Sequence, residues 1–121
     1  MAIVFDNYIT ELLNKALVDI THIGIGDGST ALVASETLLG NETLRKTVTE
    51  TQDGNSLIFE GFWDETEGNG TTFTEAGLFW DGATNTINTG SLVCGGQIHV
   101  IKDATQTMTV SIELTIEAVN T

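Results

Sequence analysis

The sequence predicts an all-β fold, an antiparallel β-sandwich or jelly-roll-like domain carrying one N-terminal α-helix. Three observations predict it. In the closing segment Met108, Val110, Ile112, Leu114, Ile116 and Ala118 alternate with Thr109, Ser111, Glu113, Thr115 and Glu117, the period-two pattern of a strand with one face on a core. Turn signals recur at intervals of about ten residues through the preceding chain, as between the short strands of a sandwich. Before Ile20 the pattern is helical instead. Residues 1–20 are therefore read as an amphipathic helix and 21–121 as the sandwich, together one structural domain.

The helix comes first. Phe5, Ile9, Leu12, Leu13, Ala16, Leu17 and Ile20 fall within an arc of about 140° at 100° per residue. Asp6, Asn7, Thr10, Glu11, Asn14, Lys15 and Asp19 lie mostly opposite. The apolar stripe must be covered by the domain's own sheet or by a partner. Thr21 to Gly26 follows as a short strand, and Gly26-Asp27-Gly28-Ser29 as a turn. Ala31 to Asn41 reads as irregular, with one helical turn from Ser35. Glu42 to Gln52 and Ser56 to Glu65 are two strands joined by the hairpin signal Asp53-Gly54-Asn55. Thr66 to Gly70 is an exposed loop. Thr71 to Trp80 carries apolar residues on both faces, which makes it a central strand. A turn at Asp81 to Asn85 leads to a strand over Thr86 to Cys94, broken by Gly95-Gly96 and resumed over Gln97 to Ile101. Gly61 and Gly77, inside apolar strands, mark a bulge or a close approach of another segment. Proline is absent, so it guards none of the strand edges.

A chain of 121 residues suits one domain that hides roughly two thirds of its unfolded surface. Its charge is lopsided: 17 acidic residues face Lys15, Arg45, Lys46 and Lys102, for a net charge of -13. That balance argues against nucleic acid, whose phosphates call for Lys and Arg, and against anionic membrane surfaces. It suits solubility in a crowded assembly, or a high-salt habitat and a halophilic host. The single cysteine, Cys94, permits no internal disulfide. No apolar run has membrane-spanning length. A basic, apolar secretory leader is not seen at the start, and synthesis and assembly in the cytoplasm are expected.

Residues that carry chemistry are few. Gly24-Ile25-Gly26-Asp27-Gly28 departs from the dinucleotide fingerprint: its third glycine comes one residue early, Asp27 would repel phosphate, and no helix follows. Cys94 and His99 flank a Gly-Gly pair and do not define a thiol–base couple. His22 reads as a structural histidine. Asp64, Glu65, Glu67 and Asn69 are candidate oxygen ligands for Ca²⁺, though a solvated acidic loop is the simpler reading. Trp63 and Trp80 read as core or interface aromatics rather than sugar platforms. No catalytic residue, cofactor or resident metal is expected, and the chain reads as a non-enzyme.

Four stretches carry a family resemblance. Ile20 to Gly28, Leu38 to Lys46, Phe73 to Phe79 and Ile101 to Ile116 resemble, in order, the segments of a module found in tailed-virus virions. It is the phage-like accessory module of tail-fibre, head-fibre and capsid-decoration proteins. The resemblance implies a non-enzymatic structural protein of the virion, assembled in the host cytoplasm. A capsid decoration or head-fibre subunit is expected first, because the module occupies nearly the whole chain. A tail, baseplate or receptor-binding adaptor component is the alternative, and a carbohydrate- or calcium-binding module is a further one. The resemblance also implies a homo-oligomer, a trimer, in contact with other capsid or tail proteins. Phe5, Leu12 and Leu13 on the helix, and Asp27 and Gly28 in the glycine-rich turn, are the candidate contact residues.

Overall fold

The computed structural model of the protein describes residues 6–29 and 31–116. It is a two-sheet antiparallel β-sandwich preceded by one helix. Helix α1 spans Asp6–Asp19, and the strands are β1 (His22–Gly26), β2 (Glu42–Thr47), β3 (Thr49–Asp53), β4 (Ser56–Trp63), β5 (Thr71–Trp80), β6 (Ser91–Lys102) and β7 (Met108–Thr115). One sheet has the order β2-β1-β5-β6 and the other β3-β4-β7. Every pairing is antiparallel.

The core lies between the sheets. Ile23 and Ile25 of β1 stand opposite Leu78 and Ala76 of β5 on one face, and all four are buried. Leu57, Phe59, Gly61 and Trp63, alternate residues of β4, are buried from the other side. At Gly61 a Cβ would crowd Ile23 Cγ2 at 2.6 Å and the Trp63 ring at 2.8 Å, so this glycine lets the sheets approach. Helix α1 adds Ile9 and Leu13 to the same core. Its exposed Lys15–Asp19 pair, at 2.8 Å, adds at most a few tenths of a kcal/mol. The stripe of α1 is thus covered largely by its own domain. Leu13, expected at a subunit contact, is 2% exposed and belongs to the core, while Phe5 lies outside the described residues.

β7 keeps the expected parity. Met108 and Val110 are buried, Ile112, Leu114 and Ile116 are half-buried against the core, and Thr109, Ser111, Glu113 and Thr115 are exposed. Burial fades along β7, an edge strand that pairs with β4 alone among the described residues. β5 is central, between β1 and β6. The hairpin at Gly54-Asn55 pairs Asp53 with Ser56. Gly54 has φ +60°, which suits the first central residue of a type II′ turn.

Three elements differ from the sequence reading. Glu42 to Gln52 is two strands: at Val48 the chain leaves one sheet for the other, and Val48 N–H donates to Thr21 O at 3.0 Å. A sandwich corner needs such a bend, and Val48 turns against the core among threonines. The helical turn at Ser35 is a tight turn closed by Glu36 N–H on Val33 O at 3.0 Å. The strand expected from Thr86 begins only at Ser91 and runs unbroken through Gly95-Gly96 to Lys102. Residues 84–90 are instead a loop, with positive φ at Asn88 (63°) and Gly90 (75°). Gly95 and Gly96 stay in the ladder opposite Gly77 and Ala76.

Candidate functional site

The residues that carry the sequence motifs meet on the outer face of the β2-β1-β5-β6 sheet. Register explains why. Gly24 stands opposite Gly77 on one side and Arg45 on the other, and Gly77 stands opposite Gly95. The row Arg45-Gly24-Gly77-Gly95 therefore crosses all four strands, with three positions bare of side chains. Side chains of the covering loop, with Leu92 of β6, fill the space. A Cβ on Gly95 would meet Leu32 Cδ1 at 2.9 Å, and one on Gly77 would meet Leu92 Cδ2 at 2.5 Å, Cys94 O at 3.1 Å and Leu39 Cδ2 at 3.2 Å. Gly77 thus marks the close approach its setting predicts. Gly77→Ala is expected to lower stability by about 1–3 kcal/mol through overpacking, read from the shift in urea midpoint at constant m. An unchanged midpoint would show that Leu39 and Leu92 move aside at no cost.

One step along the strands, Gly26 stands opposite Glu75. The Glu75 side chain crosses the bare surface and holds the covering loop. Its Oε2 accepts from Gly28 N–H at 2.8 Å and Asn41 N–H at 2.7 Å, and its Oε1 from Gly40 N–H at 2.7 Å. Glu75 is 2% exposed, so three backbone amides take the place of water. Neighbouring Thr74 donates its hydroxyl to Gly28 O at 2.7 Å, and Asn41 Nδ2 donates to Asp27 Oδ1 at 2.5 Å. Side chains at Gly26 or Gly28 would fall on the Glu75 carboxylate. The pair of glycine-rich and Glu-containing motifs is one device: a buried carboxylate and the backbone that wraps it.

A second buried carboxylate fastens the next loop. Glu42 and Arg45 form a two-pronged ion pair, Nε to Oε2 at 2.7 Å and an Nη to Oε1 at 2.8 Å, with both side chains at 0% exposure. Residues three apart on a regular strand face opposite ways. Here the β1–β2 register slips, Ile25 pairing with Leu44 but Gly26 with Glu42. The resulting bulge at Thr43 puts both ends of the pair on one face. Arg45 also donates to Thr84 O at 3.1 Å and Thr89 O at 2.8 Å, and stacks over the Phe79 ring at 4.0 Å. Asn88 N–H donates to Glu42 Oε1 at 2.8 Å. His22, 8% exposed, joins the same loop: Nε2 lies 3.0 Å from Asn85 Oδ1, and Nδ1 lies 2.7 Å from Thr21 Oγ1. It is the satisfied structural histidine expected.

Of the candidate calcium residues, Asp64, Glu67 and Asn69 engage their side chains with the protein, and Glu65 its backbone carbonyl. Asp64 Oδ1 accepts from the Thr66 hydroxyl at 2.6 Å and its N–H at 2.8 Å; these bonds, hydroxyl first, hold its carboxyl below the usual range. Glu67 pairs with Lys46 at 2.7 Å, and that ammonium is the main reason its carboxyl is likewise held low. Asn69 Oδ1 accepts from the buried Lys102 ammonium at 2.9 Å, while its amide donates to Glu65 O at 2.8 Å. Among the described residues no three His, Cys, Asp or Glu side chains gather to hold a metal. Burial pushes the Cys94 thiol up, away from the thiolate a nucleophile needs. His99 lies five positions along the same strand, on the order of 16 Å away.

The remaining feature is apolar. Leu12 and Ala16 of α1, with Trp80, Val93 and Leu114, line a groove of about 400 Å³ beside the start of β6. Trp63 is fully buried in the core, whereas Trp80 is 40% exposed on this groove. Of the candidate contact residues, Leu12 lines it and Asp27 stays exposed, while the Gly28 amide is tied to Glu75. Comparison with known proteins returned no matching family model and no match among curated proteins.

Proposed function

We propose that this chain is a non-enzymatic structural protein of a tailed-virus particle, a capsid decoration or head-fibre subunit that works as a homo-oligomer, a trimer, against other virion proteins. The observation that carries the reading is the use made of the motif residues. Gly24, Gly26, Gly28, Glu75 and Gly77, the positions that resemble the virion module, are all engaged in fixing loops to a sheet. Both buried carboxylates of that face are saturated by internal donors, so neither is available for proton transfer to a substrate. A rigid sandwich with fastened loops suits a part of a shell. Four basic residues against 17 acidic ones fit contact with protein rather than with packaged nucleic acid.

Gold-labelled antibody against this chain, applied to purified particles and viewed by electron microscopy, tests the reading. Label over the capsid is expected. Label confined to the tail would move the chain to the tail or baseplate. Particles that carry none of it, from cells that make it, would overturn the proposal.

A further inference from the structure

We propose that Asn69 is a self-modification site: the backbone nitrogen of Gly70 converts its side-chain amide to a carboxylate, which completes an ion pair with the buried Lys102. Four side chains of the protein are lysine or arginine, and three of them meet a carboxylate. Lys15 pairs with Asp19 at 2.8 Å, Arg45 with Glu42 at 2.7 Å and Lys46 with Glu67 at 2.7 Å. Lys102 pairs with none among the described residues. It is 1% exposed, and its ammonium donates to a neutral oxygen, Asn69 Oδ1, at 2.9 Å. Two carboxylates of the same loop are turned elsewhere, Asp64 to Thr66 and Glu67 to Lys46, while Glu65 lends only its backbone carbonyl, to the Asn69 amide. A buried charge calls for an opposite one, and in a chain with 17 acidic residues an amide in that place is the exception.

Asn69 is the only asparagine of the chain that a glycine follows. A residue without a side chain lets its nitrogen approach the preceding side-chain carbonyl most closely. Gly70 has φ +79°, and a Cβ there would meet nothing within 4 Å, so a ring has room to close. Asn69 itself is exposed, open to the water the reaction consumes. Gly70 N attacks Asn69 Cγ and the N–Cγ bond forms. The Cγ–Nδ2 bond breaks, the Gly70 proton passes through water to Nδ2, and ammonia leaves a cyclic imide. Water then adds at Cγ, the new N–Cγ bond breaks and its nitrogen regains a proton. The net change is amide plus water to carboxylic acid plus ammonia. Lys102 acts at both steps. Its N–H on Oδ1 stabilises the charge that develops on that oxygen. It also marks Cγ, not the backbone carbonyl, for water, so the product is aspartate rather than the isomer linked through Cγ. One bond sets the pace: Gly70 N–H donates to Lys102 O at 2.9 Å. The nitrogen is released when the approach to β5 frays from the end of β6, a local opening that needs no global unfolding.

Peptide mass mapping of the purified full chain, held folded at neutral pH and sampled over weeks, tests the proposal. Conversion is expected at Asn69 ahead of every other asparagine, with aspartate as the main product. Asn69→Asp, which installs that product directly, should have a higher urea midpoint than freshly made wild type at constant m. A charge-assisted pair outweighs the Nδ2 bond to Glu65 O that the conversion gives up. Lys102→Met keeps an apolar stem and removes the ammonium. It is expected to slow conversion severalfold in the folded chain and to turn the product toward the isomer. In urea, where the contact is gone, the two chains should convert alike, which separates the role of the ammonium from any loss of folding. An Asn69 that stays intact in the folded chain, under exposure that converts it in urea, would show that the Gly70 bond locks the site, and would overturn the proposal. So would equal rates and products in folded wild type and Lys102→Met, or an Asn69→Asp midpoint at or below that of wild type.

Discussion

Glu75→Gln is expected to destabilise the domain by about 2–4 kcal/mol, a large share of the roughly 5–15 kcal/mol that holds a domain of this size together. The carboxylate accepts from three backbone amides and is almost wholly buried. Hydrogen bonds to a charged group contribute about 1.5–3 kcal/mol each. Glutamine keeps one acceptor oxygen and turns an N–H₂ toward amides that are themselves donors. Whichever way the side-chain amide lies, at least one of Gly28, Gly40 and Asn41 loses its acceptor and faces a second donor. Urea denaturation gives the size of the effect. Hydrogen exchange gives its place: the amides of Gly28, Gly40 and Asn41 should open faster, while those of β4 and β7 change only with global stability. A loss below about 0.5 kcal/mol, with exchange unaltered, would mean that the loop is held by its apolar residues Leu32 and Leu39 and that the carboxylate is incidental.

Local pattern made the elements legible and long-range register did not. The alternation of β7, the two-sided apolarity of β5 and the Gly54 hairpin are properties of consecutive residues, and each appears as the sequence predicts. The switch of sheets at Val48 has no such signature, because two strands separated by one residue look like one long strand. At Thr86 to Gly90 the sequence favours an extended chain, but Arg45, some forty residues earlier in the chain, claims the carbonyls of Thr84 and Thr89. The glycine motifs were conspicuous, yet their use depends on Gly24, Gly77 and Gly95 falling in one cross-strand row. One signal did point to the missed residues. A glutamate in the middle of an apolar central strand, and the only arginine of an acidic chain, each require a buried partner. The candidate calcium loop shows the reverse: Glu67 and Asn69 look unpaired only while Lys46 and Lys102, from two other strands, are left out of view.

Arg45→Met is expected to lower stability by about 3–5 kcal/mol, because it strands a charge rather than because the ion pair is itself strongly favourable. The methionine fits the space of the arginine stem and continues to cover Phe79. It leaves Glu42 at 0% side-chain exposure with the Asn88 amide as its remaining donor. It also leaves Thr84 O and Thr89 O without the guanidinium. Arg45→Lys should recover only part of the loss, since one ammonium cannot reproduce the fork that meets both Glu42 oxygens and two carbonyls at once. The informative variant is the double replacement Glu42→Gln with Arg45→Met. If the stranded carboxylate causes most of the damage, the double variant is more stable than Arg45→Met alone, and a double-mutant cycle returns a coupling of about 0.5–3 kcal/mol. If the arginine acts chiefly by holding the 84–90 loop, neutralising Glu42 brings no recovery and the two losses add. The bulge at Thr43 distinguishes these cases structurally, for its register slip places Glu42 and Arg45 on one face. Relief of the mutant by Glu42→Gln would therefore assign that slip to the ion pair, and simple additivity would assign it to the loop.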